Sequence, residues 1–73
     1  MNLDQNLYEV QSERTGQWAA PNFPTVLEAV RHIREDFGWS HFSVYEKETR
    51  RKIVTWSTEY GLRYNVEGLD HNE

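Results

Sequence analysis

The sequence predicts an α+β domain, with one helix packed on an antiparallel sheet of three to five strands in the order β(β)αβββ. Three observations carry that expectation. A capping box opens an apolar stripe of helical period, and Gly38 closes it. The segments on either side alternate with a period of two. Short turns join the last three of them, and short turns join antiparallel neighbours.

Leu7 to Ser12 reads as the first strand, because Tyr8 and Val10 alternate with Glu9 and Gln11. Thr15-Gly16 is a turn signal, since glycine adopts positive φ without steric cost. Gln17-Trp18-Ala19-Ala20 is expected to pair back as a short second strand. Pro21-Asn22-Phe23-Pro24 then forbids regular structure, because proline lacks an amide donor and restricts the residue before it.

The helix is expected from about Val26 to Phe37. In Thr25-Val26-Leu27-Glu28 the threonine hydroxyl can accept from the Glu28 amide, and the Glu28 side chain can reach back. Val26, Ala29, Val30, Ile33 and Phe37 follow at offsets of three and four. Glu28, Arg31, His32, Arg34, Glu35 and Asp36 fall mostly off that stripe. Phe37 and Phe42 are assigned to the core, and Trp39 to the closing of one end of it.

Beyond Gly38, His41 to Glu46 alternates Phe42 and Val44 against Ser43 and Tyr45. On parity the first pair faces the helix and the second faces away. Lys47-Glu48-Thr49-Arg50 is a polar turn. Arg51 to Thr58 is a β-branched strand, with Val54 and Trp56 on one face and Ile53 and Thr55 on the other. Which of those faces meets the helix depends on hairpin register. Glu59-Tyr60-Gly61 is a second turn. Leu62, Tyr64 and Val66 alternate with Arg63 and Asn65 in a last strand. The whole of 1–73 is one domain, with a core of about 6–66 and a frayed tail at 67–73.

A domain this small buries only about 60% of the surface its unfolded chain exposes. Disulfides, a metal or self-association usually compensate. The chain has no cysteine, which excludes disulfides and thiolate metal sites and fits a reducing cytoplasm. His32, His41 and His71 form no close pair of ligand spacing. A compact aromatic core remains, together with a possible homodimer. Met1-Asn2-Leu3-Asp4-Gln5 has neither the basic region nor the apolar run of a signal peptide. No stretch approaches the ~18 apolar residues of a membrane span. A net charge of −4 argues against general nucleic-acid binding.

Catalytic signatures are absent. There is no G-x-S-x-G elbow, and Ser40 and His41, as neighbours on a strand, would point to opposite faces. His32, Glu35 and Asp36 read as a solvated helix face, because no second segment supplies metal ligands. The isolated glycines form no phosphate loop, so no cofactor is expected.

Lys47, Arg50, Arg51 and Lys52 form the one basic cluster, at the tip of a predicted hairpin, and Arg14 lies on another turn. Arginine matches phosphate and carboxylate bidentately. Charged tips also serve simply to protect sheet edges from aggregation. Trp18, Trp39, Trp56, Tyr45, Tyr60 and Tyr64 exceed what one helix and one sheet face can hide. Tryptophan, tyrosine and arginine dominate binding hot spots.

The opening strand Leu7-Tyr8-Glu9-Val10, the helix Leu27-Glu28-Ala29-Val30-Arg31-His32-Ile33 and the hairpins around Val54-Thr55-Trp56 and Leu62-Arg63-Tyr64 give a recognisable layout. It resembles the very small phage-encoded anti-defence proteins of the type I anti-CRISPR kind. The likeness spans most of the chain as architecture and transfers no functional residue. It implies a steric inhibitor that occupies a nucleic-acid channel or recruitment surface on a large ribonucleoprotein.

The resulting expectation is a non-enzymatic binding protein in the cytoplasm of a bacterial host cell. Its partner is a host protein or ribonucleoprotein complex, contacted through Arg14, Tyr45, Lys47, Arg50, Arg51 and Lys52. The alternative is a small nucleic-acid-binding accessory domain that uses the same basic hairpin.

Overall fold

A computed structural model describes residues 6–65. Four strands, β1 (Tyr8–Ser12), β2 (His41–Glu46), β3 (Lys52–Ser57) and β4 (Gly61–Tyr64), form one antiparallel sheet in the order β1-β2-β3-β4. Helix α1 (Val26–His32) lies between β1 and β2 in the chain and runs on into a π-helical turn, Ile33–Phe37. Val66 and the expected tail at 67–73 lie outside the described residues.

The segment after β1 folds back along it through single bridges, Gln11 to Trp18 and Tyr8 to Phe23. Pairing at 17–20 is therefore one bridge with flanking bonds, Ala19 N to Val10 O at 2.8 Å and Ser12 N to Gln17 O at 2.8 Å, not a full strand. The return carries the chain to the Tyr8 end of β1, so the helix travels back along the sheet. β2 can then start beside Ser12 and pair antiparallel to β1, with Val10 opposite Val44.

Thr25 caps the helix as expected, its hydroxyl accepting from the Glu28 amide at 3.1 Å. Gly38 ends it with φ 72°, a left-handed conformation that costs glycine little. Its amide donates to Ile33 O at 2.9 Å, an i to i+5 bond that widens the last turn. The widened turn carries Phe37 off the apolar stripe. Phe37 is 36% exposed rather than buried in the core, and its ring meets His32 and Trp39 at centroid distances of 5.8 and 5.2 Å.

The core is Val10, Ala19, Phe23, Ala29, Val30, Ile33, Phe42, Val44 and Val54. Phe42 and Val44 face the helix, as parity requires. Hairpin register places Trp56 opposite Phe42 and Leu62, on the helix side, where the Arg34 guanidinium stands 4.3 Å from its ring centroid. One expectation fails on β3. Val54 pairs with Val44, but Tyr45 pairs with Lys52, leaving Ile53 as the extra residue of a bulge. Ile53 packs against the core instead of sharing the opposite face with Thr55.

Candidate interaction face

The helix packs on one side of the sheet, over β1 and β2. The register assigns the other side to cross-strand rows: Glu9 beside Tyr45 beside Lys52, then Gln11, Ser43, Thr55 and Arg63. Trp18 joins them through its bridge to Gln11. Without the bulge Lys52 would follow Val54 onto the core side. The bulge re-aims it to this open face, beside Tyr45.

Three aromatic rings here each carry a cation. The Trp18 and Tyr45 rings meet at 5.2 Å and 56°. Arg50 lies 5.5 Å from the Trp18 centroid, Lys52 lies 6.0 Å from that of Tyr45, and Arg63 lies 5.1 Å from that of Tyr60. Cations over aromatic faces contribute about 0.5–1 kcal/mol each at exposed sites.

Acids matched to those cations lie on the same face. Arg50 Nη1 is 3.4 Å from Glu9 Oε2, and Lys52 Nζ is 3.5 Å from Glu13 Oε2. Glu13 also accepts from the Ser43 hydroxyl, which lies 3.2 Å from Thr55 Oγ1. Ser43 therefore faces away from the helix, as expected, yet is fully buried beneath polar side chains. Glu9 Oε2 is buried and accepts no hydrogen bond, so Arg50 compensates it by charge alone.

Arg50 itself has φ 63°, the only positive value among the described non-glycine residues. A side chain in that region costs roughly 1–2 kcal/mol. Its amide donates to Glu46 O at 2.7 Å, closing the hairpin.

The six residues singled out in the sequence are not one patch. Tyr45, Arg50 and Lys52 converge on the open face. Arg51 is exposed on the turn and makes no ion pair among the described residues. Lys47 is half-buried, and its amide donates to Leu7 O at 2.9 Å, pinning the turn to the start of β1. Arg14 follows β1 and so sits at the opposite end of the sheet from that turn. Sequence reasoning did not assign Glu9, Glu13 and Trp18 to this cluster. Only the pairing of β1 with β2 brings them to Tyr45.

At Arg14's end, His41 Nε2 is 2.9 Å from Glu59 Oε1 and His41 Nδ1 is 2.8 Å from Ser40 Oγ. Ser40 precedes β2, so strand alternation does not separate it from His41. The hydrogen bond from His41, followed by Glu59's own backbone amide, holds the Glu59 carboxyl below its ordinary value. With the proton on Nε2, Nδ1 accepts from the Ser40 hydroxyl, the order seen in nucleophilic relays. The amides of Gly38 and Trp39, just before Ser40, both donate to Ile33 O. What the contact does is tie β2 to the turn between β3 and β4. Among the described residues no group of three or more histidines and acids could hold a metal ion.

A shallow groove of about 660 Å³ crosses the open face. Lys52 and Arg63 line it along with Glu13 and Glu59, so both signs of charge are presented within it. No helix among the described residues is long and apolar enough to cross a membrane. No protein-family profile, curated protein or solved structure matches this chain.

Proposed function

We propose that this domain is a non-enzymatic binding protein. It acts sterically, as a small phage inhibitor would, by covering a surface of a host protein or ribonucleoprotein complex with its open sheet face. The observation that carries this reading is the set of cation-capped rings, Trp18 with Arg50, Tyr45 with Lys52 and Tyr60 with Arg63, on the face the helix leaves free. These residue types supply most hot spots. Glu9 and Glu13 beneath the cations favour a protein surface of mixed charge over a polyanion.

Arg51, unpaired among the described residues, and Arg63 favour a second reading, a nucleic-acid-binding accessory domain. That reading requires affinity for short DNA or RNA that falls steeply with salt.

The test is a tagged pull-down from bacterial lysate, with and without nuclease, using the wild type and a Trp18→Ala, Tyr45→Ala, Arg50→Ala, Lys52→Ala variant. A defined complex that survives nuclease and is lost with the variant supports the first reading. Capture that vanishes with nuclease transfers support to the second. Capture unchanged by the variant removes the open face from both.

A further inference from the structure

The sheet has two outer edges, and the fold treats them differently. Along β1 the outward backbone groups are covered. Tyr8 and Phe23 exchange bonds at 2.9 Å, the Ala19 amide donates to Val10 O at 2.8 Å, and the Ser12 amide donates to Gln17 O at 2.8 Å. The return segment 17–23 thus seals that edge. β4 pairs with β3 alone among the described residues. The Asn65 amide donates to Ile53 O at 2.9 Å, and in the same register the alternation assigns the next bonded pairs to Arg63 with Thr55 and Gly61 with Ser57. Leu62 and Tyr64, the positions between, aim their amides and carbonyls outward. An uncovered row of that kind is a template for another strand.

Each side of that edge opens on a groove. On the helix side a groove of about 440 Å³ is lined in part by Leu27, Trp56 and Leu62. Arg34 already stands over the Trp56 ring, which leaves Leu27 and Leu62 as the accessible apolar groups. Leu27 is 66% exposed and Tyr64 62%. On the other side lies the groove of about 660 Å³ that contains Arg63. Its acids Glu13 and Glu59 already face Lys52 and His41, at 3.5 and 2.9 Å. Arg63 stands over Tyr60 but makes no ion pair among the described residues.

We propose that β4 is a peptide-docking edge, which takes an extended segment of a partner protein as a fifth strand. Main-chain bonds to Leu62 and Tyr64 set its register, and the two grooves set its selectivity. Cross-strand neighbours share a face. The guest residues opposite Leu62 and Tyr64 therefore lie on the helix side and are apolar. The one between them, opposite Arg63, lies on the other side and is acidic. The inference rests on the reading of the domain as a binding protein and names the chemistry of the partner segment. It uses none of Trp18, Tyr45, Arg50 and Lys52, so the edge and the open face can fail separately.

Amide hydrogen exchange of the full chain, read by NMR at low protein concentration, tests the edge itself. Leu62 and Tyr64 should exchange quickly, and Arg63, bonded to Thr55, more slowly. Slow exchange at Leu62 and Tyr64 would mean that this chain or a second copy already covers the edge, and overturns the proposal. An array of short synthetic peptides, varied at three consecutive positions, reads the ligand. The chain should select an acidic residue between two apolar ones, and the selected peptide should slow exchange at Leu62 and Tyr64 by about tenfold or more. Methylating the peptide amides that face β4 should weaken binding by about tenfold or more. Arg63→Glu should reverse the central preference to lysine or arginine, which loss of a merely structural side chain would not do. The Trp18→Ala, Tyr45→Ala, Arg50→Ala, Lys52→Ala variant should hold the selected peptide as the wild type does. An array with no preference at the central position, or a peptide lost with that open-face variant, overturns the proposal.

Discussion

Lys52 stands opposite Tyr45 because Ile53 is an extra residue in β3. One inserted position has two consequences. It lets Ile53 and Val54 both contribute to the core, and it returns Lys52 to the side where Glu13 and Tyr45 wait. A strand with strict alternation could not do both, since its side chains change face at every step. The open face therefore owes its second cation to a local irregularity of the backbone.

Lys52→Ala separates stability from binding at this position. The Lys52–Glu13 pair has both side chains more than a third exposed, so solvent screens it. Its loss should cost less than about 1 kcal/mol in urea denaturation, and less still at high salt. If Lys52 is a true contact, partner affinity should nevertheless fall about tenfold or more. Equal affinity of the variant and the wild type would reduce the bulge to a packing device.

Arg50 permits a sharper comparison, because two substitutions remove the same side chain and differ only in backbone preference. Arg50→Gly relieves the φ of 63°, whereas Arg50→Ala keeps the strain. The glycine variant should be more stable than the alanine variant by about 1 kcal/mol. Both should lose the contacts to Glu9 and Trp18, and both should bind a partner equally poorly. Alanine matching glycine in stability would mean the turn relaxes out of the left-handed region once the arginine is gone.

These two residues also mark where the sequence stops being legible. Thr25, Gly38 and the alternation around Val44 announce the helix ends and the strand β2, because capping and periodicity are local properties. The bulge at Ile53 has no local signature: it arises from matching β3 to β2 while filling the core. The π turn is equally silent, and without it Phe37 would have stayed on the buried stripe. The basic run Lys47 to Lys52 looks like one patch when read linearly. Register and bulge divide it between a turn and a sheet face, and they bring in Glu9 from β1 and Glu13 from the turn after it, more than thirty positions earlier.

The core should respond to truncation far more than either face. Phe42 and Ile33 are fully buried and join sheet to helix. Phe42→Ala should cost about 3–5 kcal/mol and Ile33→Ala about 2–5 kcal/mol. Small domains have a total stability of about 5–15 kcal/mol, so the Phe42 variant should lose a large share of it. Exposed Leu27→Ala should change monomer stability by about 0.5 kcal/mol or less. Chemical denaturation at low protein concentration reads all three. A Phe42→Ala variant as stable as the wild type would mean that the helix does not pack where the fold places it.

The contact between His41 and Glu59 predicts a pH dependence whose sign follows from the lowered Glu59 carboxyl. The folded chain holds this group ionised to lower pH than the unfolded chain does. The unfolded chain therefore binds the extra proton first as pH falls. Stability from the contact is present above the ordinary carboxylate value and is lost as pH drops through the folded one. Glu59→Gln should thus be less stable than the wild type near pH ~6, with the gap closing toward pH ~3. The gap should be small, because Glu59 is exposed and salt screens it. Paired denaturation curves across that range decide the matter. A gap that stays the same across that range would mean the contact does not depend on the ionised carboxylate.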